Sequence, residues 1–213
     1  MHWGSRTGDW VFVNGDYLDQ FLNIRLPSGK KFNLVIHNTD IPFDAPRLIK
    51  TLPRAFRIYA INTTIRHQQL TTIPLGFPDS GLNHLDAIKP LPVDQRTIEI
   101  YSNFLVTTNA PARLDCLNAF KDDPRVVRKE PEGRSQPEYY KDMCNAKYVL
   151  CPTGTGIDTH RVYEALACGA TPVVLHSTLD HLYQTLPICI LTSWTDPFYV
   201  PSGTPRFNVN QYI

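Results

Sequence analysis

Short apolar runs recur along the chain, each bounded by polar, proline or glycine residues, and between them apolar positions fall at helical spacing. In the first half, Trp10-Val11-Phe12-Val13, Phe32-Asn33-Leu34-Val35-Ile36 and Arg57-Ile58-Tyr59-Ala60-Ile61 read as strands, with Leu70 to Leu75 a short one interrupted by Pro74. The second half offers Thr97-Ile98-Glu99-Ile100-Tyr101, a weak Arg125-Val126-Val127, then Tyr148-Val149-Leu150-Cys151, Thr171-Pro172-Val173-Val174-Leu175 and Ile188-Cys189-Ile190-Leu191. Helices are predicted after Asp16, from Pro46 to Leu52, from Ala110-Pro111 through Phe120, from Glu138 to Asn145, from Asp158 to Cys168, and after Ser177 or Thr178. Pro27-Ser28-Gly29 reads as a turn. Alternating strands and helices imply parallel sheets flanked by helices. The pattern of strand, helix, strand occurs twice, separated by the proline-rich run that ends at Val93. The expected fold is therefore α/β, with two Rossmann-like domains, residues 1–93 and 94–213, facing a cleft.

One stretch carries most of the chemistry. Between the strand ending at Cys151 and the strand opening at Thr171 lie the glycine loop Thr153-Gly154-Thr155-Gly156 and the helix from Asp158, with Gly169 placed as its C-cap. Asp158 or Thr159 can cap that helix. A glycine loop at a strand's carboxyl end leading into a helix binds anions, because free amides and the helix dipole converge there. Arg161 and Glu164 lie three apart on one face of that helix. A guanidinium suits phosphate oxygens and a carboxylate can accept two bonds from a ribose diol, so together they outline a nucleoside diphosphate. The plainer alternative is a weak surface ion pair between the two. A P-loop is excluded by the lack of a closing Gly-Lys-Ser/Thr, and a dinucleotide fingerprint by Thr159 and His176 standing where a glycine and an acid are needed.

The segment Cys151-Pro152, Gly154, Gly156, Asp158-Thr159-His160-Arg161, Glu164-Ala165-Leu166, Gly169 and Pro172-Val173-Val174 resembles the donor-nucleotide motif of exostosin-like glycosyltransferases, and more loosely the GT-B superfamily. The resemblance runs on through Ser177-Thr178-Leu179-Asp180 and Leu186-Pro187 to Trp194, and His37-Asn38-Thr39-Asp40 and Ile73-Pro74-Leu75-Gly76 fit the same pattern in the first half. It implies that Arg161 meets the donor diphosphate and Glu164 the ribose, within a donor site formed by Gly154, Gly156, Asp158, Thr159 and His160. Arg113, after Thr108-Asn109, stands where the family has a second arginine directed at the donor phosphates. The resemblance also implies a compact GT-B-like enzyme, smaller than most and without an evident long C-terminal helix.

Composition narrows the partners. The formal charge of +1 over 213 residues gives no electrostatic case for nucleic acid or an acidic membrane. No apolar run reaches the length of a bilayer span, and the first ten residues lack a signal peptide's apolar core. Five cysteines without paired spacing point away from a disulfide framework or zinc site and towards a soluble, cytoplasmic protein, although many exostosin-like enzymes are anchored in the secretory pathway. The expected function is sugar transfer from a nucleotide-sugar co-substrate to a hydroxyl of a glycan or glycoprotein, with Arg161 and Arg113 neutralising the leaving diphosphate. No Asp-x-Asp step is present, so neither metal nor other cofactor is expected. An inverting reaction needs a base, for which Asp40, His37 and Asp79 are the candidates in that order. The alternatives are a non-catalytic nucleotide-sugar-binding module, a structural α/β partner domain, and a hydrolase using Cys151 with His160.

Overall fold

The computed structural model describes residues 7–24 and 29–199, so Pro27 and Ser28 of the expected turn lie outside the described residues. The chain is mixed α/β with two separate parallel sheets. It divides into two compact units. One holds the chain up to Leu75 together with Gly156–Asp158, and the other holds Gly76–Thr155 and the chain from Thr159 onwards.

The first unit carries four strands, β1 (Trp10–Asn14), β2 (Phe32–His37), β3 (Ala55–Ala60) and β4 (Leu70–Thr72), paired in parallel in chain order. Helices α1 (Leu18–Asn23) and α2 (Ala45–Thr51) make the first two crossovers. Alternation in β2 buries Phe32, Leu34 and Ile36 beside Ile58 and Ala60 of β3, and Leu18 and Leu48 of the helices close that core. Asp44 starts α2 by accepting from Arg47 N at 3.0 Å, with Pro46 in the first turn.

In the second unit, a single-turn helix α3 (Asp79–Leu82) precedes strand β5 (Ile98–Ser102). Helix α4 (Ala110–Ala119), strand β6 (Val126–Arg128), helix α5 (Gln136–Cys144), strand β7 (Ala146–Leu150), helix α6 (His160–Ala167), strand β8 (Thr171–Leu175), helix α7 (Asp180–Tyr183) and strand β9 (Cys189–Leu191) follow. The sheet order is β6-β5-β7-β8-β9, all parallel. Counted from its own first strand this is 2-1-3-4-5, which puts a topological reversal between β5 and β7. In an open α/β sheet, ligands lodge outside the carboxyl ends of the strands at such a reversal. Cys116 of α4 and Phe120, the residue after that helix, pack with Trp194 against Ile100, Leu150 and Val173. Pro172 fits inside β8 because Val173 turns its carbonyl to Cys151 N, just past the end of β7, which directs Pro172 to the other edge, where β9 begins only opposite Val173.

Residues 76–93, read from sequence as the junction, form α3 and short 3-10 turns within the second unit. What holds them is non-local. Phe77 stacks on Tyr140 of α5 with ring centroids 5.9 Å apart, and Leu91 N donates to Cys144 O. Arg96 ties the same region to the sheet, donating to Leu91 O at 2.9 Å, Ala146 O at 2.8 Å and Gly169 O at 2.6 Å. Gly169 ends α6 at φ +68°, and a Cβ there would sit 2.9 Å from the Arg96 guanidinium. Gly169→Ala therefore combines backbone strain with displacement of a buried cation and should cost about 1–3 kcal/mol. A lowered urea midpoint checks this; an unchanged midpoint would show that Arg96 gives way freely.

Candidate functional site

Two arginines meet at the reversal between β5 and β7. Helix α4 begins just past the carboxyl end of β5, with Asn109 at its N-cap accepting from Ala112 N and Pro111 in the first turn. Helix α6 begins just past the end of β7, with Thr159 in extended conformation at the N-cap position and Pro152 to Gly156 leading in. Both helices direct their N-terminal ends, and so their positive dipole ends, to the same place. Arg113 sits in the first turns of α4 and Arg161 is the second residue of α6. A cation at a helix N-terminus works against the dipole, so neither arginine is there for the sake of its helix.

Their guanidiniums share one aromatic neighbour. Arg113 Cζ lies 5.6 Å and Arg161 Cζ 5.7 Å from the centre of the Phe104 ring. Arg113 is only 6% exposed, yet its partners are neutral carbonyls, Thr153 O at 3.1 Å from Nε and Leu105 O beyond Nη1. Burial, and then the repulsion of Arg161, bring its pKa down to about 10. Burial opposes the charge on Arg161 too, but Tyr139, Cys151 and Glu164 outweigh it and hold that pKa above the ordinary value. The Nε of Arg161 is buried without a hydrogen-bond partner. Two cations thus converge where one is satisfied only by carbonyls and the other keeps an unused donor.

The glycine loop is fitted to this pair. A Cβ on Gly154 would stand 3.0 Å from Arg113 Nη2, so a side chain there would push the guanidinium. Asn109 Nδ2 donates to Gly154 O at 2.9 Å and Thr153 Oγ1 at 3.3 Å, which fastens the loop to the start of α4.

No ion pair between Glu164 and Arg161 is found among the described residues, and Glu164 is buried rather than at the surface. It is 6% exposed and accepts from Tyr139 Oη at 2.8 Å, Tyr140 Oη at 3.1 Å and Gln136 Nε2 at 3.4 Å. All three donors lie on α5. That helix starts at a capping box, Glu138 accepting from both Ser135 N at 2.9 Å and Ser135 Oγ at 2.7 Å. Tyr139 therefore bridges the two halves of the site, bonded to Glu164 and facing the charge of Arg161. Tyr101 and Asn103, at the end of β5, are both buried, and the Asn103 Nδ2 has no partner.

The remaining candidates are spread over both units. Gly156 and Asp158 belong to the first. Asp158, 2% exposed, precedes Thr159, which takes the N-cap position of α6. The Asp158 N–H donates to Asn62 Oδ1 at 2.8 Å and its carboxylate accepts from Leu75 N at 2.9 Å, while Gly156 lies against the Asn62 amide. Asn62 holds a left-handed φ of +52° and reaches Thr39 O at 3.1 Å with its other end. His37, donating to Asn38 Oδ1 at 2.8 Å, ends β2 and the exposed Asp40 follows it in the first unit, whereas Asp79 opens α3 in the second. Within the second unit, His160 Nδ1 donates to Gly76 O at 2.7 Å. Cys151 is buried and donates to Val149 O, so its thiol serves as a core group beside the strand that carries it.

The comparison with known families falls on the same elements. Residues 103–200 match a glycosyltransferase family. The matching model is described as the RXYLT1 C-terminal domain, and it takes in Arg113, the glycine loop, Arg161, Glu164 and strands β6 to β9. It covers a little under half of the chain. No helix among the described residues is long and apolar enough to cross a membrane.

Sequence reading missed Tyr139, Tyr140, Asn109 and Phe104. The Ser135-x-x-Glu138 step was the available signal for α5 starting earlier, and with it for Tyr139 and Tyr140 as buried groups. Burial first, and then the Glu164 carboxylate, raise the pKa of Tyr140, and Tyr139 and Tyr101 are raised chiefly by burial. A phenol held neutral in the folded state stabilises it fully below the unfolded value of about 10, and that contribution is lost as pH rises. Stability should therefore fall above about pH 10 by roughly 1.4 kcal/mol per pH unit per tyrosine. Tyr140→Phe should make the fall shallower in urea titrations between pH 9 and 11; an identical slope would mean Tyr140 ionises freely in the fold.

Proposed function

We propose that the chain is a glycosyltransferase of the GT-B type whose second unit, a Rossmann-like fold, holds a nucleotide-sugar donor. The observation that carries this is the pair of guanidiniums at the β5–β7 reversal, over one phenyl ring and between two helix N-termini, with the Arg161 Nε unused. A diphosphate would satisfy that donor, relieve the repulsion between the cations and accept from the helix amides. As the glycosidic bond to the donor breaks, negative charge gathers on the departing diphosphate, and fixed cations already in place stabilise it without reorganising. The family match supports a sugar-transfer role and favours a xylosyl donor, a pentose linked to a nucleoside diphosphate. Glu164, oriented by Tyr139, Tyr140 and Gln136, is the group proposed for the ribose hydroxyls, which would exchange for one of the tyrosine hydroxyls. His37, Asp40 and Asp79 remain the proposed bases for an acceptor hydroxyl of a glycan or glycoprotein, and the transfer is proposed to need no metal.

The test is a thermal-shift screen of UDP, GDP, CMP and dTDP, with and without EDTA, on the wild type and Arg161→Ala. A ligand at about a hundred times its Kd stabilises the folded state by about 2.7 kcal/mol, which for a chain of this size raises Tm by about 5–10 °C. The reading expects one nucleoside diphosphate to do this, indifferent to EDTA, with the shift lost in the variant. Folded protein that responds to none of them would overturn it. Binding without sugar transfer to any acceptor would instead identify a nucleotide-sugar-binding module.

A further inference from the structure

The second unit holds a cavity that its arginine pair does not use. The volume is about 580 Å³, within the range of small-ligand sites. Glu99, the second residue of β5, and Arg125, which immediately precedes β6, lie on its wall, so it sits by the amino ends of these strands, whereas the arginines stand beyond the carboxyl ends. Four aromatic rings form its apolar side, locked edge to face. Trp194 and Phe120 have centroids 6.2 Å apart, Phe120 and Phe198 5.7 Å, and Phe198 and Tyr148 5.2 Å. Polar groups supply the rest. Arg125 grips Asp123 with two hydrogen bonds, Nε to Oδ1 at 3.0 Å and Nη2 to Oδ2 at 2.7 Å. Asp196 accepts from Thr192 N at 2.8 Å and Ser193 N at 2.9 Å, which fixes the turn that presents Trp194. Trp194 is 4% exposed, and its Nε1–H is buried with no hydrogen-bond partner among the described residues. A buried indole N–H usually finds a partner, so this is an unmet donor on a ring that lines a cavity.

We propose that this cavity is a carbohydrate-binding subsite, separate from the arginine pair, which takes a neutral sugar residue of a glycan. A pyranose carries C–H groups on its flat faces and hydroxyls around its perimeter, so it suits aromatic rings flanked by polar groups. Each hydroxyl both donates and accepts. Its oxygen accepts from the Trp194 Nε1–H or from the Arg125 guanidinium, and its hydrogen donates to the carboxylates of Glu99 and Asp196. Other ligand classes match less of this wall. A cation suits the rings and the carboxylates but leaves the indole donor unmet. An anion meets three carboxylates, Glu99, Asp123 and Asp196, against one guanidinium already paired with Asp123. A wholly apolar ligand answers neither the donor nor the carboxylates. The interlocked rings and the Asp196 turn are in place beforehand, so little ordering is needed on binding. A glycan held here by one residue would keep its reactive end at high local concentration, a role that rests on the glycosyltransferase reading. The binding itself does not rest on it.

The test is saturation-transfer NMR of the full chain with xylobiose, cellobiose, lactose and maltose, each without nucleotide. The proposal expects at least one of them to receive magnetisation, strongest at its ring C–H groups, and to shift the Trp194 indole N–H resonance of the wild type. Trp194→Phe keeps an aromatic ring and removes the donor, so it should weaken that sugar about two- to ten-fold, and Glu99→Gln should weaken it as well. If Trp194→Phe folds poorly, the wild-type indole shift and Glu99→Gln decide the matter. Arg161→Ala should bind the sugar as the wild type does. No transfer to any of the disaccharides, transfer that leaves the indole resonance unmoved, or a response lost in Arg161→Ala would overturn the proposal, the last because the sugar would then sit beside the arginine pair. Failure of every nucleotide in the thermal-shift screen would leave this site standing, so the two readings fail separately.

Discussion

Two like charges held close together in a poorly solvated place are costly unless something offsets them. The second unit accepts that cost. Arg113 and Arg161 flank Phe104, and their surroundings include carbonyls, a phenol and the Glu164 carboxylate bonded to α5, while among the described residues no acid forms an ion pair with either guanidinium. Much of the local architecture follows from holding them there. Asn109 caps α4 and grips the glycine loop, Gly154 leaves room for one guanidinium, and Tyr139 braces the other. The parallel sheet supplies the site by reversing its strand order between β5 and β7, which leaves the beginnings of α4 and α6 side by side without a strand crossover to fill the gap.

The network behind the arginines is as specific as the cations themselves. Glu164 takes three hydrogen bonds from a single helix, so polar contacts register α5 against α6. Satisfied networks of this kind favour one arrangement strongly, since losing any member leaves buried charge exposed to its absence. Such a network orients the side chains behind the arginines, as the proposed electrostatic stabilisation of a leaving group would require.

Local chemistry made much of this legible. Buried strands announce themselves as short apolar runs, and α6 is marked by its glycine loop, by Arg161 and Glu164 at helical spacing, and by Gly169 at its end. The features that stayed hidden depend on residues far apart in the chain. Asp158 is placed like a helix cap, and nothing near it in the chain announces its bonds with Asn62 and Leu75, nearly a hundred and more than eighty residues away. The run from 76 to 93 has no period of its own because Tyr140, Cys144 and Arg96 hold it. In the charged segment before Pro137 the many exposed charges masked a capping box, and with it the tyrosines that orient Glu164.

The most direct measurement of the central claim is the NMR signal of the Arg161 Nε–H, assigned through its loss in Arg161→Lys and followed as a nucleoside diphosphate is added. That donor is buried and unpartnered in the ligand-free protein. If the diphosphate lodges between the two arginines, the resonance should move as a new charge-assisted hydrogen bond forms and its exchange with water should slow. A nucleotide that saturates the protein while leaving the Arg161 signal in place would contradict the account, because the anion would then sit elsewhere.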